Sequence, residues 1–169
     1  MTLKNISSPS IIIYRHRREN KKKCTLEPLK SNTECSFFTY PQEPLQATPH
    51  TLVLSMQGPP LTKNDRDRPL LIIDGTWRYA EKMQEQTPLI HTLEKRSLPA
   101  CIKTAYPRKQ EDCPDPDSGL ASIEALFIAR LILELPAKHL LDNYHFKRSF
   151  LEKNAQFLKT KKFEIFNNF

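Results

Sequence analysis

Glycine is scarce in this sequence: Gly58, Gly75 and Gly119 are the only three in 169 residues. A dinucleotide fingerprint or a phosphate-cradling loop needs clustered glycines, because the backbone must approach phosphate closely and adopt positive φ. Nucleotide sites of those two types are excluded. Cysteine is thinly spread as well. Cys24, Cys35, Cys101 and Cys113 are never closer than eleven positions, whereas structural zinc sites pair two cysteines within a few residues. The five histidines share no helical i, i+4 face with another ligand, so no metal is expected. No nucleophile elbow is visible. No apolar run reaches the roughly 18 residues of a membrane span, and residues 1–9 lack the apolar centre of a signal peptide. A cytoplasmic protein with reduced thiols and no membrane partner is the expectation.

What is abundant is proline, with fourteen, and basic charge, with 26 Lys plus Arg against 19 Asp plus Glu and a formal net charge of +7. The length suits one compact unit, read as an N-terminal basic segment with a strand over residues 1–50 and a main domain over residues 51–169. Short β-branched or aliphatic runs at residues 10–14, 51–55 and 69–73 predict buried strands, and residues 98–105 a further one. Residues 28–49 are broken by prolines and read as irregular, anchored by Phe37, Phe38 and Tyr40. From Trp77 the period changes: Trp77, Ala80 and Met83 fall at i, i+3 and i+6, which predicts an amphipathic helix capped by Asp74 or Thr76 and ending before Pro88. Residues 120–135 are the most apolar stretch and predict a mostly buried helix, with amphipathic segments at 137–144 and 146–158 after it. Strands alternating with helices indicate an α/β fold with a largely parallel sheet.

Ligands in open α/β sheets bind beyond the carboxyl ends of the strands, which makes Asp74, at a strand-to-helix switch, a candidate functional carboxylate. An ordinary N-cap aspartate is the competing reading, as a core aromatic is for Trp77. The run from Arg15 to Lys23 holds six Lys or Arg and one acid. With Lys147, Arg148, Lys153, Lys159, Lys161 and Lys162 near the other end, it reads as a phosphate-binding footprint for RNA rather than a face that serves solubility alone.

Asp74-Gly75-Thr76-Trp77 after Leu-Leu-Ile-Ile resembles the signature of the DTW-domain proteins. Lys22-Lys23-Cys24-Thr25, Leu61-Thr62-Lys63-Asn64-Asp65, Arg96-Ser97-Leu98-Pro99, Leu120-Ala121-Ser122-Ile123-Glu124-Ala125 and Phe150-Leu151-Glu152-Lys153-Asn154 resemble, in family order, blocks of the related small-subunit rRNA aminocarboxypropyltransferases. The resemblance implies a SPOUT-like α/β fold with a C-terminal trefoil knot. It also implies S-adenosylmethionine as cosubstrate and transfer of its 3-amino-3-carboxypropyl group to a uridine or pseudouridine in RNA.

Asp74 is then the candidate catalytic residue, accepting the imide proton or orienting the base and the cosubstrate's amino group. Thr25, Asp74, Trp77, Leu120 and Ser122 are the implied cosubstrate contacts. Trp77 packs on the sulfonium methyl, and Thr25 with the helix start near Ser122 holds the carboxylate. Arg15, Arg17, Arg18, Lys21, Lys22, Lys23, Arg108 and Lys109 are the candidate RNA contacts. The rRNA enzymes typically carry Asp-Cys-Ser-Trp and a threonine at the position of Ser122, and the Tyr106-Pro-Arg108-Lys109 piece resembles the tRNA-modifying branch, so tRNA and small-subunit rRNA both stand as partners. The rRNA branch is usually monomeric, which favours a monomer. A SPOUT-type RNA methyltransferase and a non-catalytic RNA-binding factor of the same fold are the alternatives.

Overall fold

The computed structural model describes residues 11–107 and 119–163. Five strands form one sheet in the order β2-β1-β4-β3-β5: β1 (Ile11–His16), β2 (Cys35–Tyr40), β3 (Leu52–Leu54), β4 (Leu70–Asp74) and β5 (Glu94–Arg96). All four ladders are parallel. The central strands are buried on both faces, which is why they read as continuous apolar runs instead of alternating ones.

Side chains of β1 alternate between two cores. Ile11 and Ile13 join Leu52, Leu70 and Ile72 under α3 (Ser122–Ile132), α4 (Lys147–Lys153) and α5 (Ala155–Thr160). Ile12 and Tyr14 join Val53 and Leu71 on the opposite face, under α1 (Trp77–Gln86) and α2 (Pro88–Thr92). The result is a three-layer α/β/α sandwich. Eight of the eleven residues of α3 are buried, including Glu124 and Arg130.

Three expectations are corrected. The proline-punctuated stretch 28–49 is not irregular throughout, since Cys35–Tyr40 pairs with β1 along its full length. Pro41 follows the last residue of that strand, and β2 lies at the sheet edge, where a neighbouring proline removes no ladder bond. Residues 98–105 are not a strand. The fifth strand comes earlier, at Glu94–Arg96, and Pro99 has no N–H to extend it. The amphipathic segment at 137–144 forms only a 3-10 turn, Lys138–Leu141, and 146–158 is divided into α4 and α5.

The loop after β3 returns to pair Pro60 with Ser97. Gly58 permits this, with φ at 102° and a virtual Cβ only 2.9 Å from the Lys95 carbonyl oxygen. In the sheet, β1 continues outward to β2 while β4 continues the other way to β5. The chain therefore leaves these two adjacent strands in opposite directions. Their carboxyl ends, Arg15–His16 and Asp74, stand at the switch point where this architecture opens a crevice.

Candidate functional site

Asp74 ends β4 and is 4% exposed. Its Oδ2 accepts from Arg15 Nε at 2.9 Å and from the Cys24 thiol at 3.1 Å, and its Oδ1 accepts from the Ser122 hydroxyl at 3.0 Å. One carboxylate thus joins the end of β1, the loop after it, and the first residue of α3. Arg15 also donates through Nη2 to the Cys24 sulfur at 3.0 Å and through Nη1 to Glu27. Burial alone would lower the Arg15 pKa, but the bonds and charges of Asp74, Cys24 and Glu27 raise it above its ordinary value. For Cys24, burial followed by the Asp74 charge pushes the thiol up to about 12, so it is a neutral donor.

Thr25 is drawn to the same corner, its hydroxyl oxygen accepting the Ile123 N–H at 3.2 Å. That bond leaves the hydroxyl proton available to donate. Beside it, the α3 start is fixed by a residue that the sequence did not single out for the site. Glu124, fully buried, accepts from Ala121 N–H at 2.8 Å, Thr104 Oγ1 at 2.7 Å, Ala105 N–H at 2.9 Å and the Tyr144 hydroxyl at 2.8 Å. Its only visible signal was a glutamate at the third helical position, the acidic half of a capping box.

Thr76, not Asp74, is the N-cap of α1, and it makes no side-chain cap bond. Trp77 is not a core aromatic: it is 40% exposed, and Met83 alone of the helix is buried. Arg78 beside Trp77 is exposed too, while Tyr79 and Ala80 are half-buried. Met56, just beyond the neighbouring strand β3, is 57% exposed. Among the described residues these two are the exposed large hydrophobic side chains, and both follow the carboxyl ends of adjacent strands. Leu120 is half-buried and packs against the core before α3.

The basic run divides. Arg17, Arg18, Lys21, Lys22 and Lys23 are exposed on the loop after β1, whereas Arg15 is 4% exposed and turned inward to Asp74. As the fifth residue of a strand buried on both faces, Arg15 shares a side with Ile11 and Ile13, so its guanidinium is a buried countercharge and does not join the solvent-facing strip. Arg108 and Lys109 lie outside the described residues. His16 stacks on Tyr79 at 4.0 Å. Burial, then the charges of Arg18, Arg17 and Lys82, lowers its pKa.

Two clefts flank the basic loop. One, of about 590 Å³, lies towards β2 and includes Arg17, Arg18, Lys30, Phe37 and Phe38. The other, of about 560 Å³, includes Lys22, Thr25, Tyr106, Asn143 and Phe146. Lys21 lines both. Among the described residues no group of three or more His, Cys, Asp or Glu side chains could hold a metal, and no helix is long and apolar enough to cross a membrane.

The DTW domain model matches residues 2–152. The solved structure of the SAM-dependent rRNA:acp-transferase Tsr3 from Vulcanisaeta distributa has a similar fold, with a TM-score of 0.71 and 22% identity over 92% of this chain and 83% of that one. A search of curated proteins by sequence finds no match.

Proposed function

The chain belongs to the DTW domain family, and from that premise we propose that it transfers the 3-amino-3-carboxypropyl group of S-adenosylmethionine to a uridine or pseudouridine of tRNA or small-subunit rRNA. The observation that carries this reading is the corner itself: Asp-Gly-Thr-Trp at the switch point, with Asp74 bonded to the start of α3 and Trp77 left in solvent. The likeness in fold to an enzyme described as an rRNA:acp-transferase supports it. A SPOUT-like classification, a knot in the C-terminal half, a cytoplasmic location and a monomeric state belong to the same reading.

The residues at the corner suit the cosubstrate. Its carboxylate would meet the Thr25 hydroxyl proton at the N-terminus of an eleven-residue helix, where negative charge is favoured. The face of Trp77 suits the sulfonium methyl, a contact worth about 0.5–2 kcal/mol. Met56 and Leu120 offer further apolar surface for the adenine.

S-adenosylmethionine presents three carbons on one sulfonium, so selecting the aminocarboxypropyl carbon is a matter of positioning. The base nitrogen forms a bond to that carbon, the carbon–sulfur bond breaks with its electron pair going to sulfur, and neutral 5′-methylthioadenosine leaves. The imide proton passes to solvent. The sulfonium is already an activated leaving group and requires no metal. Asp74, with three donors on its carboxylate, acts by holding Ser122 and the end of β1 in register instead of by taking the proton.

The test is mass spectrometry of nucleosides from bulk tRNA and from small-subunit rRNA, each incubated with the protein and S-adenosylmethionine labelled in its aminocarboxypropyl chain. Labelled uridine or pseudouridine from one pool is expected, and cosubstrate binding by calorimetry should weaken about two- to thirtyfold in Trp77→Ala. Transfer of the methyl instead would identify a methyltransferase. Failure to bind the cosubstrate would leave a non-catalytic RNA-binding factor.

A further inference from the structure

The cleft beside Cys24 and Thr25 differs in character from the corner occupied by Trp77 and Met56. One wall is the loop carrying Lys21, Lys22 and Lys23, all exposed. The opposite wall is aromatic. Phe146 is met edge-on by Tyr106 at 5.9 Å, Tyr144 at 5.9 Å and His145 at 4.8 Å. The Tyr144 ring is held from below by its hydroxyl bond to the buried Glu124, so the wall is anchored to the same carboxylate that fixes the start of α3. Asn143, exposed at the rim, carries an amide with both donor and acceptor groups.

We propose that this cleft receives the acceptor nucleobase, a uracil-type pyrimidine of single-stranded RNA, while the lysine loop takes the flanking phosphates; the proposal rests on the reading above and supplies its second substrate site. The volume of about 560 Å³ falls in the range of small-ligand pockets. Aromatic rings next to a basic wall are what an unpaired base and its phosphates need, and stacking tolerates any base, so discrimination must come from an edge contact. The Asn143 amide N–H can donate to a uracil carbonyl oxygen, which leaves the N3 imide nitrogen clear for the reacting carbon. The charge also argues against the cosubstrate as occupant. Among the described residues the only acid on the lining, Glu27, is already paired with Arg15 and Lys30, so the lysines there face a sulfonium cation poorly but match a polyanion well. Thr25 lines the cleft and bonds to the α3 start, so a base here would lie beside the amino-acid end of the cosubstrate.

The probe is decauridylate with one central 4-thiouridine, crosslinked to the full chain by near-ultraviolet light and mapped by peptide mass spectrometry. Crosslinks at Tyr106 or within 143–146 are expected. Crosslinks at Phe37 or Phe38 would put the base in the other cleft and overturn the proposal, as would no crosslink at all. Asn143→Ala, a change at an exposed position, should raise the dissociation constant for decauridylate about three- to tenfold and leave that for S-adenosylmethionine within twofold. An unchanged decauridylate affinity, or a selective loss of cosubstrate affinity, would overturn the assignment. If the protein binds no S-adenosylmethionine yet crosslinks at Phe146, the nucleobase site stands and the transferase reading fails.

Discussion

Replacing Asp74 with asparagine preserves the shape of the side chain and removes one charge from a nearly dry corner. Asp74 and Arg15 have side chains 6% and 5% exposed. Removing one member of such a pair costs about 3–5 kcal/mol, mostly because the surviving charge stays buried without its partner. Here Arg15 retains Glu27 on its Nη1, which lowers the expectation to about 2–3 kcal/mol. The amide also cannot accept from Arg15, Cys24 and Ser122 together, since one of its two polar atoms is a donor. For a chain of this length, 1 kcal/mol corresponds to about 2–4 °C in Tm, so Asp74→Asn should melt about 4–12 °C lower. Urea unfolding followed by circular dichroism should show a lower midpoint with an unchanged slope, the signature of lost stability rather than altered compactness. Arg15→Met/Asp74→Leu, which removes both charges, should recover at least about 1 kcal/mol of the loss. If Asp74→Asn unfolded within about 0.5 kcal/mol of the parent, a margin typical of surface changes, the carboxylate would not be holding the corner together. A role as an accessible base would then be the better account.

Two further outcomes follow from the titrating groups. With iodoacetamide at pH 8, the exposed Cys101 should be alkylated readily, while Cys24, whose thiol burial pushes up to about 12, should stay unmodified until urea is added; peptide mass spectrometry that finds Cys24 alkylated in the folded protein would contradict the closed corner. For Glu27, burial raises the pKa, but the bond and charge of Arg15, with help from Lys30, outweigh it and leave it lowered. A depressed carboxylate pKa contributes stability above the unfolded value of about 4.3, and that contribution is lost as pH falls through the folded value. The stability gap between the parent and Glu27→Gln, measured in urea, should therefore be widest near pH 6 and close towards pH 3. Because the Glu27 side chain is 33% exposed, the gap should be small.

The parts of the fold that were legible are those whose signal is local. β1, β3 and β4 are short aliphatic runs, and the 3.6-residue period after Trp77 marks α1 to within a residue. β2 was hidden because its flanking prolines punctuate the stretch on both sides, although Phe37, Phe38 and Tyr40 have strand-forming character. Asp74 could be singled out because a strand-to-helix switch is a pattern of neighbours. Its bonds to Ser122, Cys24 and Arg15, 48, 50 and 59 positions away, could not be read from spacing, although the family resemblance had already named Ser122. Arg15 was grouped with the solvated charges that follow it in the chain. Only the strand's continuation to His16, one residue beyond Arg15, turns its side chain inward.

The four residues from Asp74 to Trp77 divide the work of the corner. Asp74 ties the end of β4 to the end of β1 and to the start of α3. Gly75 sits close against the layer beside it, since a Cβ there would lie 3.3 Å from the Tyr79 Cβ, tighter than most side-chain contacts, and 3.4 Å from the His16 Cβ. Beside it the His16 and Tyr79 rings stack at 4.0 Å. Thr76 then stands at the N-cap position of α1, and Trp77, its first helical residue, is 40% exposed. The exposure of Trp77 is therefore a consequence of the three residues before it. A tight turn at a buried anchor leaves the next large side chain on the surface at the carboxyl end of the sheet.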